Sequence, residues 1–189
     1  EIGCESVVFA TGPWSGQAEG WLGVRVPVEP LKGEILRMRP PGILPPSSDF
    51  QGAGVSLYSR EVQVWIGSTE ERKGFDAKPS ESARDRLMAG ALRLMPAMAD
   101  AEPFRGYTGL YTTTPDRQPV IDAVDDIEGL YVCTGFSGHG FKLAPAVGKL
   151  IAELMLDGPA SSIDIRPLRM SRFAENDLNT PQTVFRVLV

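Results

Sequence analysis

The sequence predicts a mixed chain, α/β to α+β, on three observations. Residues 129–158, GLYVCTGFSGHGFKLAPAVGKLIAELMLDG, carry a strand, a glycine-rich turn and a long amphipathic helix in direct succession. Short β-forming runs separated by turn formers fill much of 23–67. Apolar residues at helical spacing over 83–95 supply another helix. The composition agrees: 189 residues, 42% hydrophobic and 23% charged, suffice for one or two domains with a sizeable core.

In chain order, Val7–Ala10 (VVFA) predicts a buried strand ending in the turn Thr11–Ser15, with a short helix starting near Trp14. Val24, Val26 and Val28 alternate with Arg25 and Pro27, and Lys32-Gly33 separates them from Glu34–Arg39, so a hairpin or sheet corner is expected. Pro40 to Gly54 is rich in proline, glycine and serine and predicts a long surface loop or a lid. Val55–Ser59 and Val62–Gly67 form a second hairpin turning near Arg60-Glu61, with Trp65 in the core or a pocket wall. The polar stretch Ser68–Asp76 reads as a solvated connection.

Ser80 caps a helix whose stripe of Ala83, Leu87, Met88, Ala91, Leu94 and Met95 packs over the sheet and stops at Pro96. Pro103–Thr114 reads as a strand and Pro115–Pro119 as a turn, with Asp116 and Arg117 as turn residues, before the strand Val120–Asp122. Leu130–Thr134 is the strand before the glycine turn. The helix after it has Pro145 suited to its first turn, apolar positions Leu143, Val147, Leu150, Ile151 and Leu154, and Gly158 as its stop. Ile163 and Ile165 form a short apolar alternation, and Asn179–Pro181 is a turn before a last extended segment, Val184–Val189.

The net charge of −5 comes without a basic patch, which argues against nucleic acid or an acidic membrane surface as the main partner. No apolar run is long enough to span a bilayer. Cys4 and Cys133 lie beside or within apolar runs and read as buried thiols rather than as a disulfide framework or metal ligands, which fits a reducing, cytoplasmic setting. The chain starts at Glu1 and enters a strand almost at once, the pattern expected of a fragment.

The chemistry concentrates in the turn. The first N–H groups of a helix lack internal partners and carry the positive end of its dipole, so they favour negative charge, and glycines let that backbone come close to a ligand. A tight connection that binds nothing is the plain alternative. Lys142 follows the turn, His139 is the sole histidine, and Tyr111 reads either as a half-buried strand residue or as the wall of a site.

Four stretches then carry a resemblance: GFSGHGFKLAPAVGKLIAEL (135–154), GLYTTTPDRQPVID (109–122), VVFATGPWS (7–15) and GSTEERKGFD (67–76). They resemble the D-amino-acid oxidase family of FAD-dependent oxidoreductases, with the turn most similar to those of its monomeric sarcosine oxidases and glycine oxidases. The likeness covers roughly Val7 to Phe173. It implies a mixed, largely antiparallel substrate-domain sheet at 21–112 and pieces of a Rossmann-like FAD-binding domain. Those pieces are a late strand and turn at 1–20 and the return at 113–158, followed by a tail at 159–189. No G-x-G-x-x-G lies between a strand and a helix, so the chain is expected to be the C-terminal half, with the nucleotide-binding half missing.

The resemblance further implies FAD held along Gly135, Phe136, Ser137, Gly138, His139, Gly140, Phe141 and Lys142, with His139 positioning rather than transferring protons. Lys142 matches a lysine that helps bind the substrate carboxylate, and Tyr111 lines the substrate side. Gly109 stands where a covalently attached cysteine occurs in monomeric sarcosine oxidases, so FAD is expected to be non-covalent and to require the missing half. Trp65 and Thr69 replace a lysine that activates oxygen and an active-site histidine, which leaves a dehydrogenase as open as an oxidase. The expected activity is oxidation of the C–N bond of a small amino acid or secondary amine, of sarcosine, glycine or proline type. The alternative is a non-catalytic module that binds no flavin alone, pairs with the missing half and self-associates through the face left exposed.

Overall fold

The computed structural model describes residues 3–42, 49–60 and 62–179; the expected last segment Val184–Val189 lies outside them. Within these residues the chain forms two compact units. One comprises the residues up to Pro30 and from Tyr111 onward, the other Leu31–Leu110.

The first unit is built on three strands, β1 (Val7–Phe9), β7 (Val120–Ala123) and β8 (Leu130–Thr134). Their order is β1-β8-β7, with β1 parallel and β7 antiparallel to β8, in the registers Val7↔Leu130 and Ile121↔Cys133. Alternation along β7 and β8 sends side chains to opposite faces. Val120, Leu130 and Val132 pack with Ala18, Val24 and Val26, whereas Ile121 packs with Leu150, Ile151 and Ile165 and is joined by Cys133. The second cluster is the underside of a long helix, α3 (Gly140–Asp157). Burial pushes the Cys133 thiol up to about 11, so it is an apolar packing group near neutral pH.

Several expectations change here. Cys4 is exposed, not buried, and β1 is only partly covered because it pairs on one side only. The turn and short helix expected around Trp14 are present, as a 3-10 helix, Gly12–Gln17, that runs into a short helix, α1 (Ala18–Leu22). Pro145 lies inside α3, beyond its first turn. Residues 163 and 165 fall in no strand, and the chain folds instead into two 3-10 turns, Arg166–Leu168 and Met170–Phe173.

The second unit holds a five-stranded sheet. Its strands are β2 (Glu29–Arg39), β3 (Asp49–Gly52), β4 (Val55–Arg60), β5 (Gln63–Gly67) and β6 (Glu102–Thr113), in the order β3-β4-β5-β2-β6. The β3–β4, β4–β5 and β5–β2 pairs are antiparallel, and the expected β4–β5 hairpin is present. One face, with Met38, Leu57, Val64 and Ile66, packs against Leu87 and Ala91 of a helix, α2 (Glu81–Leu94). The Ser80 hydroxyl accepts the Ala83 N–H, as the capping pattern predicts.

The hairpin expected at Lys32-Gly33 is absent, and β2 runs straight through it. Lys32 exchanges two backbone hydrogen bonds with Glu71, and its Nζ lies 2.8 Å from Glu34 in a nearly solvent-free pair. That contact outweighs burial and raises the Lys32 ammonium. Burial would lift the Glu34 carboxyl, but Lys32 and the Ser80 N–H and hydroxyl hold it below its ordinary range. The stretch expected to be solvated is thus partly structural. Thr69 is buried and its hydroxyl accepts the Glu34 N–H. The expected 40–54 loop contains β3, paired with β4.

Candidate active site

The glycine turn sits between β8 and α3, where the sequence places it. Gly135, Ser137 and Gly138 all adopt positive φ, at 79°, 48° and 84°. At Gly135 only hydrogen fits, since a Cβ would come 2.5 Å from Thr114 Cγ2. The turn closes on itself through His139 N–H donating to Phe136 O, and it is pinned to the end of β6 by Ser137 N–H donating to Thr112 O. A Thr113–Ser137 hydroxyl pair at 3.2 Å adds a second tie.

The Thr11–Ser15 segment joins the same corner. The Ser15 hydroxyl donates to Thr134 Oγ1 at 2.9 Å at the end of β8. Three sequence-distant stretches therefore meet at one turn.

Of the residues singled out from sequence, the structure brings Tyr111 to the turn: a Cβ on Gly138 would lie 3.7 Å from its ring. His139 occupies the N-cap position of α3 without a capping side-chain bond, and its N–H is committed to Phe136. Gly140, Phe141 and Lys142 form the first turn of α3, which contains no acidic residue to neutralise the dipole. Phe141 is 98% exposed, and Lys142 is exposed beside it.

A Gly135 with no room for a Cβ, a helix N-terminus without an acidic first turn and a lysine in that turn form a donor set suited to negative charge. Gly109 offers no thiol for a covalent link.

Sequence reasoning missed the brace behind the turn. Arg172, fully buried, donates from Nε and Nη2 to the two oxygens of Asp116 at 2.8 and 3.1 Å, and to the carbonyls of Leu168, Arg169 and Gln118. Asp116 also accepts the Thr114 hydroxyl and the Gln118 N–H. Asp116 is therefore an ion-pair anchor as well as a turn residue, and Thr114 passes its position to Gly135. The only signal in the sequence was the pairing of a T-P-D turn with a distant arginine.

A glycine-rich strand-to-helix turn on a three-stranded α/β unit, in a chain with a second, antiparallel unit, places the chain among two-unit proteins of mixed α and β structure. A model of the FAD dependent oxidoreductase family, DAO, matches residues 1–154, and the chain belongs to that family. A glycine oxidase of Pseudomonas aeruginosa is 35% identical over 167 residues, covering 88% of this chain and 46% of that protein. A peroxisomal sarcosine oxidase of Mus musculus is 30% identical over 192 residues, covering 89% of this chain and 48% of that protein. The crystal structure of glycine oxidase from Geobacillus kaustophilus superposes with a TM-score of 0.83 at 27% identity, covering 90% of this chain and 46% of that one. The chain spans about half the length of the curated relatives it matches.

Proposed function

We propose that this chain works in the oxidation of the C–N bond of a small amino acid or secondary amine, by hydride transfer to non-covalently bound FAD. The observation that carries this reading is the corner itself, where an uncompensated helix start, Lys142 and Tyr111 border one glycine turn. Bound FAD supplies the acceptor for a hydride equivalent from the carbon bearing the substrate nitrogen.

The chain's own residues do the holding and polarising. Gly135 to Lys142 give the cofactor a close backbone surface, and the N–H groups at the start of α3 stabilise negative charge that builds there. Lys142 is the counter-ion for the substrate carboxylate. Tyr111, beside Gly138, lines the substrate side. Phe136 and His139 fix the turn through their own backbone hydrogen bond.

A second reading has an observation of its own. Residues 141–146, in the first half of α3, are exposed although mostly apolar, with Leu143 at 41% exposure. On this reading FAD loads only together with the part of the relatives that this chain does not span, and the chain alone supplies the substrate-side half of a site.

Titrating the protein with FAD and following its visible spectrum, then adding sarcosine, glycine or proline anaerobically, tests both. A spectral shift followed by bleaching with one amine supports catalysis by this chain, and release of the flavin on denaturation supports a non-covalent link. No shift, with FAD binding restored by a co-expressed family N-terminal half, supports the second reading. If Lys142→Ala leaves amine affinity unchanged in the flavin-loaded protein, the carboxylate role is wrong.

A further inference from the structure

Successive residues at the end of β6 and just beyond it each meet the glycine turn. The Tyr111 ring stands 3.7 Å from the Cβ position of Gly138, Thr112 O accepts the Ser137 N–H at 2.8 Å, and the Thr113 hydroxyl lies 3.2 Å from that of Ser137. Thr114 completes the row, with its Cγ2 2.5 Å from the position a Cβ of Gly135 would take.

Thr114 differs from its neighbours in being held from behind. It is 2% exposed, and its hydroxyl lies 2.7 Å from Gln118 O and 3.0 Å from Asp116 Oδ1, two acceptors that share one proton and fix the oxygen between them. Arg172 holds both acceptors in turn, donating to Gln118 O at 2.9 Å and to the two Asp116 oxygens. The Asn179 N–H adds a further donor to Asp116 at 3.2 Å. On a β-branched side chain the hydroxyl and the methyl turn together, so holding the oxygen also holds Cγ2 against Gly135.

We propose that Thr114, Asp116 and Arg172 are positioning residues for the cofactor: the buried ion pair fixes the Thr114 rotamer, and the Thr114 methyl is the wall that sets where the Gly135–Gly138 backbone lies. This rests on the reading that the turn receives FAD. Backbone donors serve a ligand only when the groups behind them are locked to within a fraction of an ångström. A buried ion pair contributes less net stability than its Coulomb attraction suggests, but a forked arginine–carboxylate contact supplies directional geometry, which is what the wall requires.

The test is a cycle of Thr114→Ser and Arg172→Lys in the ¹⁵N-labelled full chain. Thr114→Ser keeps the hydroxyl and deletes the methyl, whereas Arg172→Lys keeps the charge and loses the fork. Each is expected to shift the Ser137, Gly138 and His139 amide resonances and to speed Ser137 amide exchange about three- to tenfold. Because Arg172 acts through Thr114, adding Arg172→Lys to Thr114→Ser is expected to change the turn no further. Should Arg172→Lys not fold, Asp116→Asn takes its place in the cycle. Val124→Ala, at the other end of the β7–β8 pairing, is expected to lower the melting temperature without moving those amides. In FAD titrations of the chain, alone or with a co-expressed family N-terminal half, each single variant is expected to weaken FAD about tenfold. Unmoved turn amides in Thr114→Ser overturn the proposal. So do effects that multiply in the cycle, and so does full FAD affinity in a variant whose turn has moved. If the unsubstituted protein takes up no FAD in either form, the reading of the turn fails, while the amide shifts still decide whether the ion pair sets the turn.

Discussion

Arg172 and Asp116 set the stability of the corner that presents the turn. Both side chains are excluded from water, so removing one leaves the other's charge buried and unpaired. Arg172→Ala is expected to cost about 3–5 kcal/mol in urea unfolding. Burial alone would raise the Asp116 carboxyl, but Arg172, the Gln118 N–H and the Thr114 hydroxyl hold it below its ordinary range. A depressed carboxyl stabilises the fold above its unfolded value, near about pH 4, and that contribution disappears as pH falls through the folded value. Unfolding free energy measured from pH 6 to pH 2 is expected to decline below about pH 4, with a shallower decline in the Arg172 variant. Gly135→Ala is a second residue-scale test. With φ at 79° and Thr114 in the way, it is expected to cost about 1–3 kcal/mol in thermal unfolding, whereas Gly148→Ala, with open space around it, is neutral or stabilising.

The two long helices begin in different ways. At α2 the start is satisfied: Ser80 accepts the Ala83 N–H and also donates to the buried Glu34 carboxylate from its N–H and hydroxyl. Ser80→Ala therefore removes a cap and one partner of a buried charge, and is expected to lower stability by about 1–2 kcal/mol in chemical unfolding. Ser80→Thr is expected to recover most of that loss. At α3 the start lacks a capping side-chain bond and an acidic first turn. The two helices differ in amphipathic burial as well. α2 buries its stripe against the sheet along most of its length, whereas α3 buries Leu150 and Ile151 and exposes its beginning.

At the scale of the whole molecule, each unit has its own hydrophobic core, and β2 and β6 are the strands along which the chain passes from one unit to the other. No helix among the described residues is long and apolar enough to cross a membrane. The apolar start of α3 is the surface by which the protein is expected to self-associate. Sedimentation velocity is expected to give a concentration-dependent sedimentation coefficient that Phe141→Ser with Leu143→Ser abolishes. A concentration-independent monomer before substitution would reject this surface.

The local elements were legible because local chemistry decides them. Leu130–Thr134, the glycine turn, the Ser80-capped helix and the β4–β5 hairpin depend on propensity, alternation and turn residues a few positions apart, and the family resemblance rested on those same short stretches. Only the tertiary structure decided the rest. Lys32-Gly33 has the composition of a turn, yet it stays in a strand because Glu71 supplies its backbone partners from a distant position, while Glu34, two residues on, meets its ammonium. Asp116 has the composition of a turn residue, yet it anchors Arg172, 56 positions away. A charged side chain is buried only when its partner arrives, and for Asp116 and Arg172 no local window of sequence contains both.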